Sequence, residues 1–417
     1  MKSYLYLLRV AVLLALAGSM DAQVAVSAND GKQVRPGDDP PGIRPDTVAT
    51  INLNVYPPKV LATIPVPASM IGPPDAVAVA PDSSFAIVTA CQKVDPTDAT
   101  KLLPADTVSV VDISDPEKPR VIQTASAGPG ASGVSFNPAV DLVLVANTSG
   151  SISVFSLAKK KLTKVGDVQM EDGSGPTDVV FSRDGKKAYV VERGGDRLAV
   201  LNVDGTKVTN TGQAIVTGAS PYGMAITPDG RYAVNTNLQG AIDPNAPARR
   251  PMGGAGVAGG GAAVAQGGTE GQVPVRRQPR SGTITLVDLQ TNQVVDSAQV
   301  GPTPEHVVLS PNGRYAEVTV ANGAASSLTD ANYSTTHGLM LVYGVESGKL
   351  TKLASTDTGH WCQGATWNKD SNEILLQCAT EHHIEVYKFD GTSLSMDNKA
   401  TVKFDARPGA IATATNQ

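Results

Sequence analysis

One short strand pattern recurs seven times along the chain, and that repetition restricts the fold more than any other feature. It reads DTVATINL (residues 46–53), DTVSVVDI (106–113), GSISVFSL (150–157) and DRLAVLNV (196–203). It returns as GTITLVDL (282–289), GLMLVYGV (338–345) and HIEVYKF (383–389). Each copy alternates aliphatic or β-branched residues with polar ones, the period-two mark of a half-buried strand. A multi-strand unit repeated at a fixed period specifies a solenoid, a propeller or an array.

A second apolar run precedes each copy and ends in a turn of the Pro-Asp-Gly type. Examples are PDAVAVAPD (74–82), PTDVVFSRDG (176–185), PYGMAITPDG (221–230) and PEHVVLSPNG (304–313). ASGVSFNPAV (131–140) and QGATWNKDS (363–371) are diverged versions. A third strand follows each turn, as in AYVVE (188–192), and a weaker fourth closes the unit, as in RVIQTASA (120–127). Four antiparallel strands, a to d from the inside out, make a propeller blade. The turn advances 45 residues from Pro138 to Arg183 and again to Pro228, within the roughly 40–50 residues of one blade. The C-terminal RPGAIATATNQ (407–417) supplies one inner strand, while QVAVSAND (23–30), DTVATINL and PKVLATIPV (58–66) supply three. The expected fold is therefore all-β: a seven-bladed β-propeller of four-stranded antiparallel blades. It is closed by N-terminal strands b–d pairing with the C-terminal strand a, which removes open sheet edges.

Residues 1–22 begin with Lys2 and Arg9, continue through an apolar stretch and end in small residues. That is the pattern of a secretory signal peptide, too short for a membrane span. Residues 23–417 are expected to form one propeller that is soluble, monomeric and exported, periplasmic or secreted. A net charge of −5 with no basic cluster on a folded element excludes nucleic acid as the expected partner. Cys362 and Cys378 face each other across the a–b hairpin of blade six, so a disulfide is expected, with two buried free thiols as the alternative. Cys91 has no His or Lys beside it in sequence and reads as a passive thiol.

Segments such as GPTDVVFSRDGKKAYVVERGGDRLAVLNV (175–203) and SPYGMAITPDGRYAVNTN (220–237) resemble the YVTN-type propeller repeats. Those repeats belong to a wider group of seven-bladed propellers related to lactonases and carboxymuconate cyclases. The resemblance covers nearly all of residues 23–417 and rests on apolar strand positions and turn residues. It implies the fold; it transfers no catalytic residue.

Blade geometry places the start of each strand a at one mouth of the central channel. The residues there are Asp75, Ser132, Thr177, Asp178, Tyr222, Glu305, His306, Gln363 with His360 and Trp361 before it, and Arg407. Two chemistries fit them. In one, Glu305 or His306 is a general base, Arg407 holds a substrate carboxylate, and His360, Tyr222, Asp178, Asp75 and Gln363 line the site. In the other, His306, His360 and a carboxylate bind a divalent metal, the one cofactor the pattern suggests. A polar funnel filled only with water is the plain alternative. Of the adjacent His382 and His383, at most one reaches the rim, since neighbours in a strand point to opposite faces.

Extra residues fall between strands b and c, at 31–45, 92–105, 238–281 and 322–337, all on that same face. The largest insertion, about 241–280, carries the run PMGGAGVAGGGAAVAQGGTEGQV (251–273) between arginine pairs and is expected to be disordered or a mobile flap. Aromatic residues make up 4% of the chain, too few for rows of sugar-stacking rings. Binding of a small, anionic molecule, with lactone hydrolysis or isomerisation as the chemistry, is the leading expectation. A non-catalytic module gripping a cell-envelope protein through its loop-rich face is the alternative.

Overall fold

Strand b of a blade is buried on both faces because the neighbouring blades cover it from either side. Leu142–Asn147 and Tyr232–Asn237 are buried at every position, whereas the outer Lys161–Gln169 is mostly exposed. The burial gradient from the axis outward thus follows the composition of strands a to d. The computed structural model describes residues 23–38, 41–242, 281–325 and 327–414. The expected signal segment and the glycine-rich run at 251–273 lie outside the described residues.

Among the described residues, seven sheets form the ring, six of four strands and one of five. Blade one is Val77–Val79, Phe85–Asp95, Asp98–Asp112 and Arg120–Ser126; blade five is Pro304–Leu309, Tyr315–Val320, Gly338–Glu346 and Lys349–Thr358. In blade six the outer position is split between Leu394–Met396 and Val402–Lys403, both paired with His383–Phe389. The last blade joins the two ends of the chain: Arg407–Thr413 pairs antiparallel with Val24–Asp30, with Ser27 opposite Ile411. Thr47–Asn52 and Lys59–Pro65 complete it. No helix of the described residues is long and apolar enough to cross a membrane.

The hydrophobic clusters lie between blades rather than within them. Phe85, Ile87 and Val110 of blade one interlock with Val143, Val145 and Phe155 of blade two. Phe85 and Phe136 meet edge to face at 5.5 Å across that seam. The Pro-Asp-Gly turns are self-capping: Asp184 Oδ1 accepts from Ser182 Oγ at 2.7 Å and from the Lys186 N–H at 3.0 Å. Gly185 sits there at a φ of 69°, a region costly for any side chain.

Residues 92–105 differ from the loop expected of them. They extend the b–c pair as a hairpin, with Gln92 opposite Pro104 and Val94 opposite Leu102. Asp95 turns the hairpin by accepting the Thr97 N–H at 2.8 Å.

Cys362 and Cys378 are directly opposed in the register and form a disulfide. Cys91 is free and buried; burial pushes its thiol up to about 12, and its Sγ faces the Ile71 carbonyl at 2.7 Å. Replacing both Cys362 and Cys378 by Ala should lower stability by about 2–4 kcal/mol, read as a shift in the urea midpoint. An unchanged midpoint would show that the cross-link stabilises nothing.

Candidate functional site

The entry of strand a is irregular in blade after blade. Register shifts fall between Ala131 and Val134, Pro176 and Asp178, Pro221 and Met224, Pro304 and His306, and Cys362 and Ala365. A bulge of this kind re-aims side chains. Thr177, Tyr222, Glu305 and Gln363 lie within the shifts. At the following position four blades carry Gly133, Gly223, Gly364 and Gly409, while two carry Asp178 and His306. The glycines make room: a Cβ on Gly133 would lie 2.4 Å from Asp178 Oδ1, and one on Gly223 would lie 2.9 Å from Asp75 Oδ2.

The bulges sort the eight expected site residues into separate groups. Glu305, Tyr222 and Gln363 come together on the b–c loop side, each with no more than 0% of its surface exposed. Gln363 Nε2 donates to Glu305 Oε2 at 2.9 Å. Arg193, at the exit of strand b of blade three, lies with its guanidinium carbon 5.3 Å from the Tyr222 ring centroid. Among the described residues, the buried polar atoms without a hydrogen-bond partner include Glu305 Oε1, Tyr222 Oη, Gln363 Oε1, and Arg193 Nε and Nη1. Buried polar groups are nearly always paired, so several unpaired neighbours mark a place built to meet something else.

Burial pushes the Glu305 carboxyl up to about 7, against the opposing pull of Gln363, Arg193 and Arg35. Burial and the Glu305 charge likewise hold the Tyr222 phenol well above its ordinary range. Arg35 reaches this region from residues 31–38, the b–c segment of the closing blade. Its guanidinium stacks 3.5 Å from the Trp361 ring centroid and donates to the Ala325 carbonyl at 2.6 Å. Gln33 bridges to Gln92 at 3.3 Å. These contacts draw residues 33–38 across the mouth as a strap.

Arg407 serves that strap. It donates to Asp38, to the Gln33 carbonyl and, at 2.7 Å, to the Ala379 carbonyl, and it is 1% exposed. The arginine expected to hold a substrate carboxylate is thus committed inside the protein. His360 is also fully engaged: Nδ1 meets Glu381 at 2.5 Å, Nε2 meets the Tyr333 carbonyl at 2.6 Å, and the ring stacks on Tyr333. No lone pair remains for a metal. Among the described residues, the His, Cys, Asp and Glu groupings close enough to hold an ion are Cys362–Cys378–Glu385 and Cys378–Glu381–His383. Neither includes His306 or His360, and both draw on the disulfide.

Asp75, Asp178 and His306 form the third group, on the other side of the bulge layer. His306 Nδ1 accepts the Ala365 N–H at 3.1 Å, which assigns the ring proton to Nε2, 3.5 Å from Asp75 Oδ1. That tautomer is a donor. It has no free nitrogen with which to act as the base expected of it. Asp178 accepts the Val179 and Met224 N–H groups, and burial together with the Asp75 charge holds its carboxyl well above the usual range.

Reasoning from the sequence missed Arg193 and Arg35. The signal for Arg193 was present: Thr148, Leu238, Ala321 and Ala379 occupy its place in other blades. Arg35 had none, since it depends on how one irregular segment folds back.

Residues 92–240, less than half of the chain, match the family model described as lactonase, 7-bladed beta-propeller. Those residues carry the lactonase-type propeller signature. The ring as a whole is similar to a candidate 6-phosphogluconolactonase from Bacteroides fragilis, with a TM-score of 0.65, 15% identity, and coverage of 95% of this chain and 99% of that one. It is also similar to a periplasmic gluconolactonase from Pseudomonas aeruginosa, with a TM-score of 0.59, 14% identity, and coverage of 94% and 98%. Hydrazine synthase of Kuenenia stuttgartiensis is similar too, at a TM-score of 0.54, 17% identity, and coverage of 78% and 79%. At such identities the likeness is one of fold, shared across unlike chemistries. No curated protein matches the chain in sequence.

Glu305 and the equally buried Glu317 both sit at about 7, raised from 4.5. A raised carboxyl stabilises the folded state most below its unfolded value and loses that contribution as pH rises through its folded value. Stability should therefore fall between pH 4.5 and 7, and Glu305→Gln should flatten part of the slope in urea titrations. An identical slope in the variant would contradict the assignment.

Proposed function

We propose that the Glu305 cluster binds and opens a lactone carrying an anionic substituent, giving the corresponding hydroxy acid. The observation that carries this reading is the meeting of unpaired buried groups of complementary kinds. They are a carboxyl near neutrality, a guanidinium and a phenol, around one point of the channel. The lactonase-type signature at residues 92–240 supports it.

Glu305 is suited to general base chemistry because a carboxyl at about 7 is populated in both forms at neutral pH. Its free Oε1 takes a proton from water as the water oxygen bonds to the lactone carbonyl carbon. The Tyr222 hydroxyl and an Arg193 N–H donate to the oxyanion that forms. Collapse breaks the ring C–O bond, and Glu305 returns the proton to the departing alkoxide. Arg35 supplies a second positive charge for the substituent. The strap at residues 33–38 covers this point, so substrate enters when it lifts and reacts out of bulk water when it closes.

Export fits the same picture. The signal pattern of residues 1–22 and the Cys362–Cys378 disulfide both suit an oxidising compartment. The test is ring opening of a panel of sugar and muconate-type lactones, followed by proton release. Glu305→Gln should lower kcat by about 10²–10⁴-fold with the fold retained, and Arg193→Met should also lower kcat, because it removes an oxyanion donor. Wild-type rates in Glu305→Gln, or no turnover of any lactone by the wild type, would overturn the proposal.

A further inference from the structure

The channel has a second end. A cavity of about 300 Å³ runs along the inner strands to the a–b turns at Pro81, Pro138 and Pro228, on the face away from the strap. Its walls are mainly apolar, with Val134, Phe136, Phe181 and Ile226 among them, and its polar inner end is formed by Asp75, Asp178 and His306. Among the described residues, Asp75 Oδ2 has no hydrogen-bond partner. The size is at the lower end of small-molecule sites, about 300–1,000 Å³, which typically combine apolar walls with a few fixed polar groups.

We propose that this cavity binds a small organic cation, with its ammonium group at Asp75 and Asp178 and its hydrocarbon part along the apolar walls. The charge decides the sign. Two carboxyls face the inner end, His306 Nδ1 is occupied by the Ala365 N–H, and a carboxylate or phosphate would meet Asp75 head-on. Arg183, at the mouth, turns its guanidinium onto the Ile226 carbonyl at 2.6 Å and the Thr227 carbonyl at 3.2 Å.

A bare metal ion fits less well. Both Asp178 oxygens already accept backbone N–H groups, so calcium or magnesium would find too few free oxygens for a shell of six or more. Asp75, Asp178 and His306 are also absent from the groupings close enough to hold an ion among the described residues. The raised Asp178 carboxyl supplies a signature: a cation beside it favours ionisation, so binding should release a proton.

The inference does not depend on turnover at Glu305. Isothermal titration of the full chain with n-hexyltrimethylammonium, 1-hexanol and hexanoate tests it. The cation should bind at least about tenfold more tightly than the alcohol, hexanoate should not bind, and heats in buffers of different ionisation enthalpy should show proton release. Asp75→Asn should abolish the preference for the cation. Ala225→Trp, which fills the cavity without touching a carboxyl, should abolish all binding, and Glu305→Gln should leave cation binding intact. Equal affinity for cation and alcohol, an undiminished preference in Asp75→Asn, or tighter binding of calcium alone would overturn it. Should Asp75→Asn fail to fold, Asp178→Asn with the same ligands decides the matter, an unchanged preference there again overturning the proposal.

Discussion

Closure of the ring by Arg407–Thr413 against Val24–Asp30 is the constraint on which the rest of the molecule depends. Residues nearly the whole chain apart must meet in one register, and the entropy of that long closure is recovered only when all seven blades are in place. The same pairing builds the channel mouth. Arg407 starts the closing strand and holds Asp38 and the Gln33 carbonyl, so the strap that carries Arg35 is fixed only after the ends have met. Fold closure and site assembly are one event.

Within that ring, one repeated irregularity supplies the chemistry. Each bulge at the start of strand a exposes successive side chains to opposite ends of the channel, so that Glu305 and His306, neighbours in sequence, serve different environments. Glycines in other blades leave the room that Asp75 and Asp178 occupy. A propeller repeats the same strand seven times; departures from the repeat at a few inner positions are enough to give each end of the channel its own polarity.

The blade count, the closing pair, the turns and the Cys362–Cys378 contact were legible because each rests on period-two alternation or on hairpin register. Both are local properties of a strand. The clustering of inner-strand polar residues was legible as well, but not its division into groups, because a bulge shifts the facing rule by one residue and leaves no mark in composition. Arg407 and His360 read as ligand-binding groups only while their partners were unknown. Asp38, Glu381 and Tyr333 come from irregular segments whose paths no periodicity encodes. Residues 92–105 failed as a loop for the opposite reason: their alternation was present but weak, and the Asp95–Asp98 turn was needed to reveal it.

The reading of the strap-side cluster rests on Glu305 being a carboxyl held near neutrality by its surroundings, and carbon-13 NMR of glutamate-labelled protein observes that directly. Titration should show two glutamate carboxyls with midpoints at about 7, those of Glu305 and Glu317, one of which disappears in Glu305→Gln. A Glu305 resonance that titrates at the ordinary 4.5 would contradict the account, because a carboxylate of that strength is a poor base for taking a proton from water.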